Sequence, residues 1–261
     1  MKLWTLIENS SCREDLTAEH GLSLYIEACG KRILFDAGQT EAFAENGRKL
    51  SVSLEDVDLA VLSHGHDDHS GGLAQFLSLN DHAPIYLSRY ALEAHYNALD
   101  AEIGVDQSLV KSERLVFCGD TRQIAPGMTL YSCNDRPCTV PLDHAGLQMA
   151  GDGGLCPDDF RHEQYLLIQE GEKRILISGC SHKGILNIAR WFRPDVLIGG
   201  FHFMKMDPED PRLEQAAQAL LELPTVYYTG HCTGEGQFAR LKTIMGSRLH
   251  AIQTGTVVEI P

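Results

Sequence analysis

No stretch of this chain is long and apolar enough to form a bilayer-spanning helix, so no membrane role is expected. The N-terminal run from Met1 to Ile7 is too short for a signal peptide and gives way to polar and acidic residues, which points to a cytoplasmic protein. Basic charge is scarce: 22 Lys and Arg stand against 36 Asp and Glu, a net charge of −14. No nucleic-acid partner is expected, because neutralising a row of phosphates takes clustered Lys or Arg. Also missing are a Pro/Gly/Ser-rich linker, a dividing charge block and a short-period repeat, so residues 1–261 read as a single domain. A chain this long needs no disulfide scaffold, and its 8 Cys are read as reduced thiols. Cys133 and Cys138 share a Cys-x4-Cys spacing but lack the second ligand pair of a structural metal site.

Short apolar runs predict strands at 3–7, 22–27 and 32–35, the last two joined through Cys29-Gly30 as a hairpin. Further strands are expected at 57–62, 174–179, 196–198, 225–228 and 251–259, and helices at about 70–79, 88–98, 183–192 and 211–222. Strands first and strand–helix alternation later suit an α/β fold, a four-layer αββα sandwich of two mixed sheets with outer helices. The stretch 99–160 is rich in Gly, Asp, Cys and Pro and contains Gly151-Asp152-Gly153-Gly154. It is expected to form a loop-rich insert over the cleft, where substrate choice would be set.

The most informative segment is His64-Gly65-His66-Asp67-Asp68-His69, directly after the apolar run Val57 to Leu62. That places it on the carboxyl end of a strand, where ligands bind in α/β sheets. With 12 His in 261 residues, three at set positions would occur by chance in ~10⁻⁴ of windows. Neutral imidazole suits zinc, iron or nickel, and a carboxylate adds the charge that a divalent ion needs. His64 and His66 alternate along extended backbone and can face one ion, while Asp68 and His69, past the bend into a helix, can face a second. Two ions need ligands from distant sequence as well. Cys180-Ser181-His182 ends the strand-like run 174–179, and His231 lies between glycines in Thr229-Gly230-His231-Cys232-Thr233-Gly234. Either Cys180 or His182, or both, can reach the site. A thiolate there would favour soft metals and be open to oxidation.

His64-x-His66-x-Asp68-His69 resembles the signature of the metallo-β-lactamase fold superfamily. The resemblance implies that His64 and His66 hold one metal, and that Asp68, His69 and His231 hold the other. Asp36, in Ile33-Leu34-Phe35-Asp36-Ala37-Gly38, matches an early Asp that orients the metal loop from outside the ligand set. Cys180 stands where most members have an Asp bridging both ions. The family places another His before the strand at Ile175. His162 is nearest that place, although the branch pattern there is acidic. Glu19-His20-Gly21-Leu22-Ser23, Gly179-Cys180-Ser181-His182-Lys183-Gly184-Ile185, Gly199-Gly200-Phe201-His202 and the segment around His231 together resemble the branch labelled dihydropterin-ribofuranosylaminobenzene-phosphate synthase. In that pattern His20 and His202 border the substrate as hydrogen-bond donors or proton carriers. His82, His95 and His250 have no second ligand near them in sequence and read as surface or structural.

The expected activity is metal-dependent hydrolysis of a small ester-type substrate: a phosphoester, cyclic ester or lactone. One or two divalent ions, zinc first and iron or manganese next, would lower the pKa of bound water from roughly 15.7 to about 7 and so supply a metal-bound hydroxide. His202, Asp67 and His20 are the candidate catalytic residues. His64, His66, Asp68, His69, Cys180, His182 and His231 are the candidate ligands. Two alternatives share these residues, an iron-dependent redox enzyme and a metal-dependent protein that binds a small ligand without turnover. The sequence leaves homo-oligomerisation open.

Overall fold

The computed structural model describes residues 1–151 and 153–261, so Asp152 of the Gly151-Asp152-Gly153-Gly154 sequence lies outside the described residues. Two seven-stranded sheets form its centre. The first runs, in spatial order, Val257–Glu259, Lys2–Ile7, Ser23–Ala28, Lys31–Phe35, Leu59–Val61, Ile85–Ser88 and Leu115–Cys118. Pairing is antiparallel as far as Lys31–Phe35 and parallel beyond it. The second runs Leu249–Ala251, Val226–Thr229, Val196–Ile198, Lys173–Ile177, Tyr165–Glu170, Met128–Tyr131 and Thr121–Ala125. It is parallel through Lys173–Ile177 and antiparallel after that. Both sheets are therefore mixed, and the fold is the expected αββα sandwich.

The period-two alternation of the strands builds the layers. Ile33 and Phe35 point between the sheets with Ile175, Ile177, Leu166 and Ile168, forming the central core. Leu34, from the same strand as Ile33, points outward to Phe43 and Phe76 on helices Ala42–Lys49 and Leu73–Leu79. Leu176 and Leu197 likewise face helices Ile185–Phe192, Pro211–Leu221 and Glu235–Met245 through Ile188, Leu213 and Leu241. Asp210 caps helix Pro211–Leu221 by accepting from the Arg212 amide, and Pro211 fits the first turn, where a missing N–H costs nothing. No helix among the described residues is long and apolar enough to cross a membrane.

Three expectations need correction. The segment 88–98 is not a helix: it turns after Ser88, and His95–Tyr96 pairs with Gln148 and Met149 in a small third sheet. Tyr96 suits strand pairing, and the pairing with Gln148 and Met149 outweighs the helical spacing of Ala91 and His95. The stretch 251–259 is two short strands, Leu249–Ala251 and Val257–Glu259, in different sheets, because the turn at Gly255 carries the chain across. Of the expected insert 99–160, strands Leu115–Cys118, Thr121–Ala125 and Met128–Tyr131 belong to the two main sheets. The turn residues around Gly119 and Gly127 that suggested a loop are sheet-to-sheet and hairpin connections. The helices Ala42–Lys49 and Glu235–Met245 were not foreseen.

Leu166 lies fully buried in the central core, paired with Leu130 on one side and Ile177 on the other. Leu166→Ala is expected to lower stability by about 2–5 kcal/mol, read from the urea midpoint at unchanged slope. A loss below about 1 kcal/mol would contradict this packing.

Candidate metal centre

Every candidate ligand leaves a strand at its carboxyl end, and strands of both sheets contribute. Leu59–Val61 is followed by His64, His66, Asp68 and His69; Lys173–Ile177 by Cys180 and His182; Val226–Thr229 by His231. The two groups meet because Gly179 has no side chain: a Cβ there would stand 2.2 Å from Ser63 Oγ. Asp36, Ser181, His202 and His231 all adopt left-handed backbone at φ 58°, 61°, 57° and 49°. Such conformations persist in non-glycine residues only where surrounding contacts hold them, and they gather at functional sites.

His64, His66 and His182 form one cluster, with ring centroids 4.6, 4.8 and 4.9 Å apart. Ser63 Oγ donates to Asp36 Oδ2 at 2.7 Å, so His64 Nδ1 is the donor in its 2.8 Å bond to Ser63 Oγ. The lone pair of His64 Nε2 then faces the cluster. His64 Nε2, His66 Nε2 and both nitrogens of His182 are buried and have no hydrogen-bond partner among the described residues. Burial first, and the mutual proximity of the rings second, push His64 and His182 well below the usual imidazole range, and burial does the same for His66. Three neutral imidazoles whose available nitrogens lie within 4.8 Å of one another are a donor set that a divalent ion takes.

A second cluster adjoins it. His69 Nδ1 donates to Asp36 Oδ2 at 2.7 Å, and His231 Nδ1 donates to Asn9 Oδ1 at 2.8 Å. With both outer nitrogens protonated, the inner Nε2 atoms are lone pairs, yet they lie 3.2 Å apart. Cys180 Sγ is 3.2 Å from His69 Nε2, and Asp68 Oδ2 is 3.2 Å from His231 Nε2. Facing lone pairs at that distance repel unless a proton or a metal ion sits between them. Without an ion, burial disfavours charge on His69, but Asp68 and Asp36 outweigh it and raise His69 to about 9. Burial also opposes ionisation of Asp68, and His69 and His231 together hold it well below the usual carboxylate range. The geometry thus brings all seven candidate ligands together, His182 on the first cluster and Cys180 on the second.

The three candidate catalytic residues border the same hollow of about 520 Å³, with Asp68, Cys180, His182 and His231 in its wall. His202 stacks edge-on against His182 at 4.4 Å, and burial pushes it down to about 4, so its ring is neutral. His20 lies half exposed at the rim, with Nε2 3.4 Å from Asp68 Oδ2. Asp67, half-buried at the start of helix Asp67–Ser70, is raised by burial and by Asp68.

Several supporting residues escaped the sequence reading. Buried Asp158 accepts from His95 Nδ1 at 2.8 Å and His162 Nε2 at 3.2 Å, and it lies 4.0 Å from His66 Nε2. His162 Nδ1 in turn accepts the Gly65 amide at 2.9 Å, which anchors the metal-loop backbone. His95 is therefore fully buried behind His66 rather than isolated, its partners lying more than 60 residues away in sequence. Glu163, also buried, accepts the amides of His182 at 2.7 Å and Lys183 at 3.0 Å, fixing the loop that presents Cys180 and His182. Cys232 lies beside Cys180, its Sγ 3.4 Å from the Cys180 carbonyl. The acidic pair Asp158-Asp159 and Ser63 next to the motif were the available signals; nothing local marked Glu163.

Residues 16–109 match the family model described as the metallo-beta-lactamase superfamily. An uncharacterized protein of Methanocaldococcus jannaschii is 29% identical over 251 residues, covering 92% of this chain and 93% of its own. The 7,8-dihydropterin-6-methyl-4-(beta-D-ribofuranosyl)-aminobenzene-5'-phosphate synthase of the same organism is 29% identical over 282 residues, covering 96% and 95%. Among solved structures, a metal-dependent hydrolase of the beta-lactamase superfamily superposes with a TM-score of 0.81 at 28% identity, covering 100% of this chain and 99% of that one.

Asp36→Asn keeps the shape of the side chain but has one acceptor oxygen, so it cannot accept from the Ser63 amide as Oδ1 does and also from Ser63 Oγ and His69 Nδ1 as Oδ2 does. Zinc affinity, measured by chelator competition, is expected to weaken about 10–100-fold. Unchanged affinity would remove Asp36 from the centre.

Proposed function

We propose that this protein of the metallo-β-lactamase superfamily is a hydrolase dependent on one or two divalent ions, zinc first, acting on a small phosphoester, cyclic ester or lactone. The observation that carries this reading is the set of unpartnered nitrogens on His64, His66 and His182 beside the facing lone pairs of His69 and His231. His64, His66 and His182 would hold one ion, and Asp68, His69, Cys180 and His231 the other. An ion bound there would make a water nucleophilic near neutral pH and polarise the oxygen under attack. Asp36 and Asn9 bind the outer nitrogens of His69 and His231 and so turn the inner ones toward the place an ion would take. His202, neutral and at the hollow's wall, offers a ring N–H to the oxygen that gains charge. Asp67, raised by burial, and His20 at the rim can carry a proton between the hollow and solvent. The likeness to a metal-dependent hydrolase across the whole chain supports the same class of reaction.

One feature favours a second reading, an iron-dependent redox enzyme: the Cys180 sulfur, with the Cys232 thiol in the same cluster, is a soft donor set. Protein purified without added metal separates the two by its metal content and by assay on bis-p-nitrophenyl phosphate and a lactone panel. Zinc or manganese with turnover of either substrate supports the hydrolase. Iron with oxygen consumption and no hydrolysis replaces it with the redox reading. Asp68→Ala and His231→Ala are each expected to lose one equivalent of metal per chain. Unchanged stoichiometry in both would remove the second ion. Cys180→Ala is expected to change metal content or rate, and wild-type behaviour in both would take Cys180 out of the ligand set.

A further inference from the structure

A second hollow, of about 950 Å³, opens beside the reaction chamber. The two share His182 and His202 in their walls, so the hollows adjoin at those two rings. Its walls come from the segment 140–146, the first turn of helix Ile185–Phe192, the segment 201–206 and one face of helix Pro211–Leu221. Leu142, Ile185, Phe201, Met206, Ala216 and Ala219 make that lining largely apolar. Its charged groups are Arg212 and Asp143, the latter a carboxylate whose Oδ1 accepts the Ala145 amide at 2.9 Å; the other polar groups are neutral. His144 Nδ1 donates to the Asp158 carbonyl at 2.6 Å, and Ser181 Oγ shares a hydrogen bond with Ser178 Oγ at 2.8 Å. Arg212 is the one cation in the lining among the described residues, and its Nε and Nη2 donate to Asp210 at 3.0 and 2.6 Å. Lys205, in the wall of the adjoining chamber, donates to the Ala145 carbonyl at 2.7 Å.

The lining of this second hollow pairs its one cation with Asp210 and adds the Asp143 carboxylate, so it disfavours an anionic group and offers much surface to a hydrocarbon one. We propose that it is the subsite for an uncharged apolar tail, alkyl or aryl, joined to the ester-type bond that lies in the chamber. The inference rests on the hydrolase reading above and narrows its substrate to hydrophobic esters or lactones. Ala216 and Ala219 determine the width of the subsite from the helix side, and Leu142 bounds it from the opposite loop. Helix Pro211–Leu221 is thus a specificity element, since replacing its small residues by large ones would shorten the accepted tail.

Straight-chain hydroxamates test this on the zinc-loaded full chain, because the hydroxamate group ligates the ion and the chain is left to the cleft. Calorimetric affinity is expected to tighten about two- to fourfold per added methylene from acetohydroxamate to octanohydroxamate. Ala219→Trp, verified as folded by circular dichroism, is expected to abolish that gain, so that long and short hydroxamates bind alike. Acetohydroxamate binding with no dependence on chain length would overturn the tail subsite and leave the hydrolase reading standing. A slope that survives Ala219→Trp would likewise remove the cleft from the account. Failure of every hydroxamate to bind would overturn the metal reading and this inference with it.

Discussion

The site depends on hydrogen bonds made at the outer edges of its imidazoles. Asp36 accepts from His69 Nδ1 and from Ser63, and Ser63 accepts from His64 Nδ1, so one buried carboxylate sets the tautomers of two histidines. Asn9 does the same for His231. Each bond turns an inner nitrogen toward the cluster, and the inner nitrogens of His69 and His231 are then close enough that a proton or an ion must lie between them. A folded chain that concentrates acceptors in this way offers a site for positive charge.

The fold makes that concentration possible by bringing two sheets together at the carboxyl ends of their parallel strands. Lys31–Phe35 and Leu59–Val61 deliver Asp36 and the His64–His69 loop from the first sheet. Lys173–Ile177 and Val226–Thr229 deliver Cys180, His182 and His231 from the second. The central core of leucines, isoleucines and Phe35 holds the sheets in register, so core packing and site geometry are one constraint. The left-handed residues are the local cost of turning each chain segment into the cleft within four residues of its strand end. Glu163, Lys183 and Asp158 then brace the turns from behind.

Much of this was readable in the sequence. The His64–His69 spacing carried its own evidence, and the apolar runs ending at Leu62, Gly179 and Tyr228 placed the distant ligands on strand ends. Whether Cys180 or His182 reaches the site could not be decided there, since two residues separate them and only the left-handed turn at Ser181 sends them to different clusters. The roles of His95 and Asp158 depend on a contact between residues 63 positions apart, which no local pattern encodes. The segment 88–98 misled because helical spacing was judged without its partner strand, Gln148–Gly151. The apolar cleft beside His202 was hidden for the same reason: its walls come from four separate segments spread over residues 140–219.

The cleft gives the reading of the site a direction, from a charged chamber to a hydrocarbon-lined trough along one surface. All of it presupposes that cations occupy the imidazole clusters. Anomalous X-ray diffraction at the zinc edge, from crystals of zinc-loaded protein, tests that most directly. The account predicts one anomalous peak enclosed by His64, His66 and His182 and a second enclosed by Asp68, His69, Cys180 and His231. A map from fully loaded crystals with no peak among these side chains would contradict it.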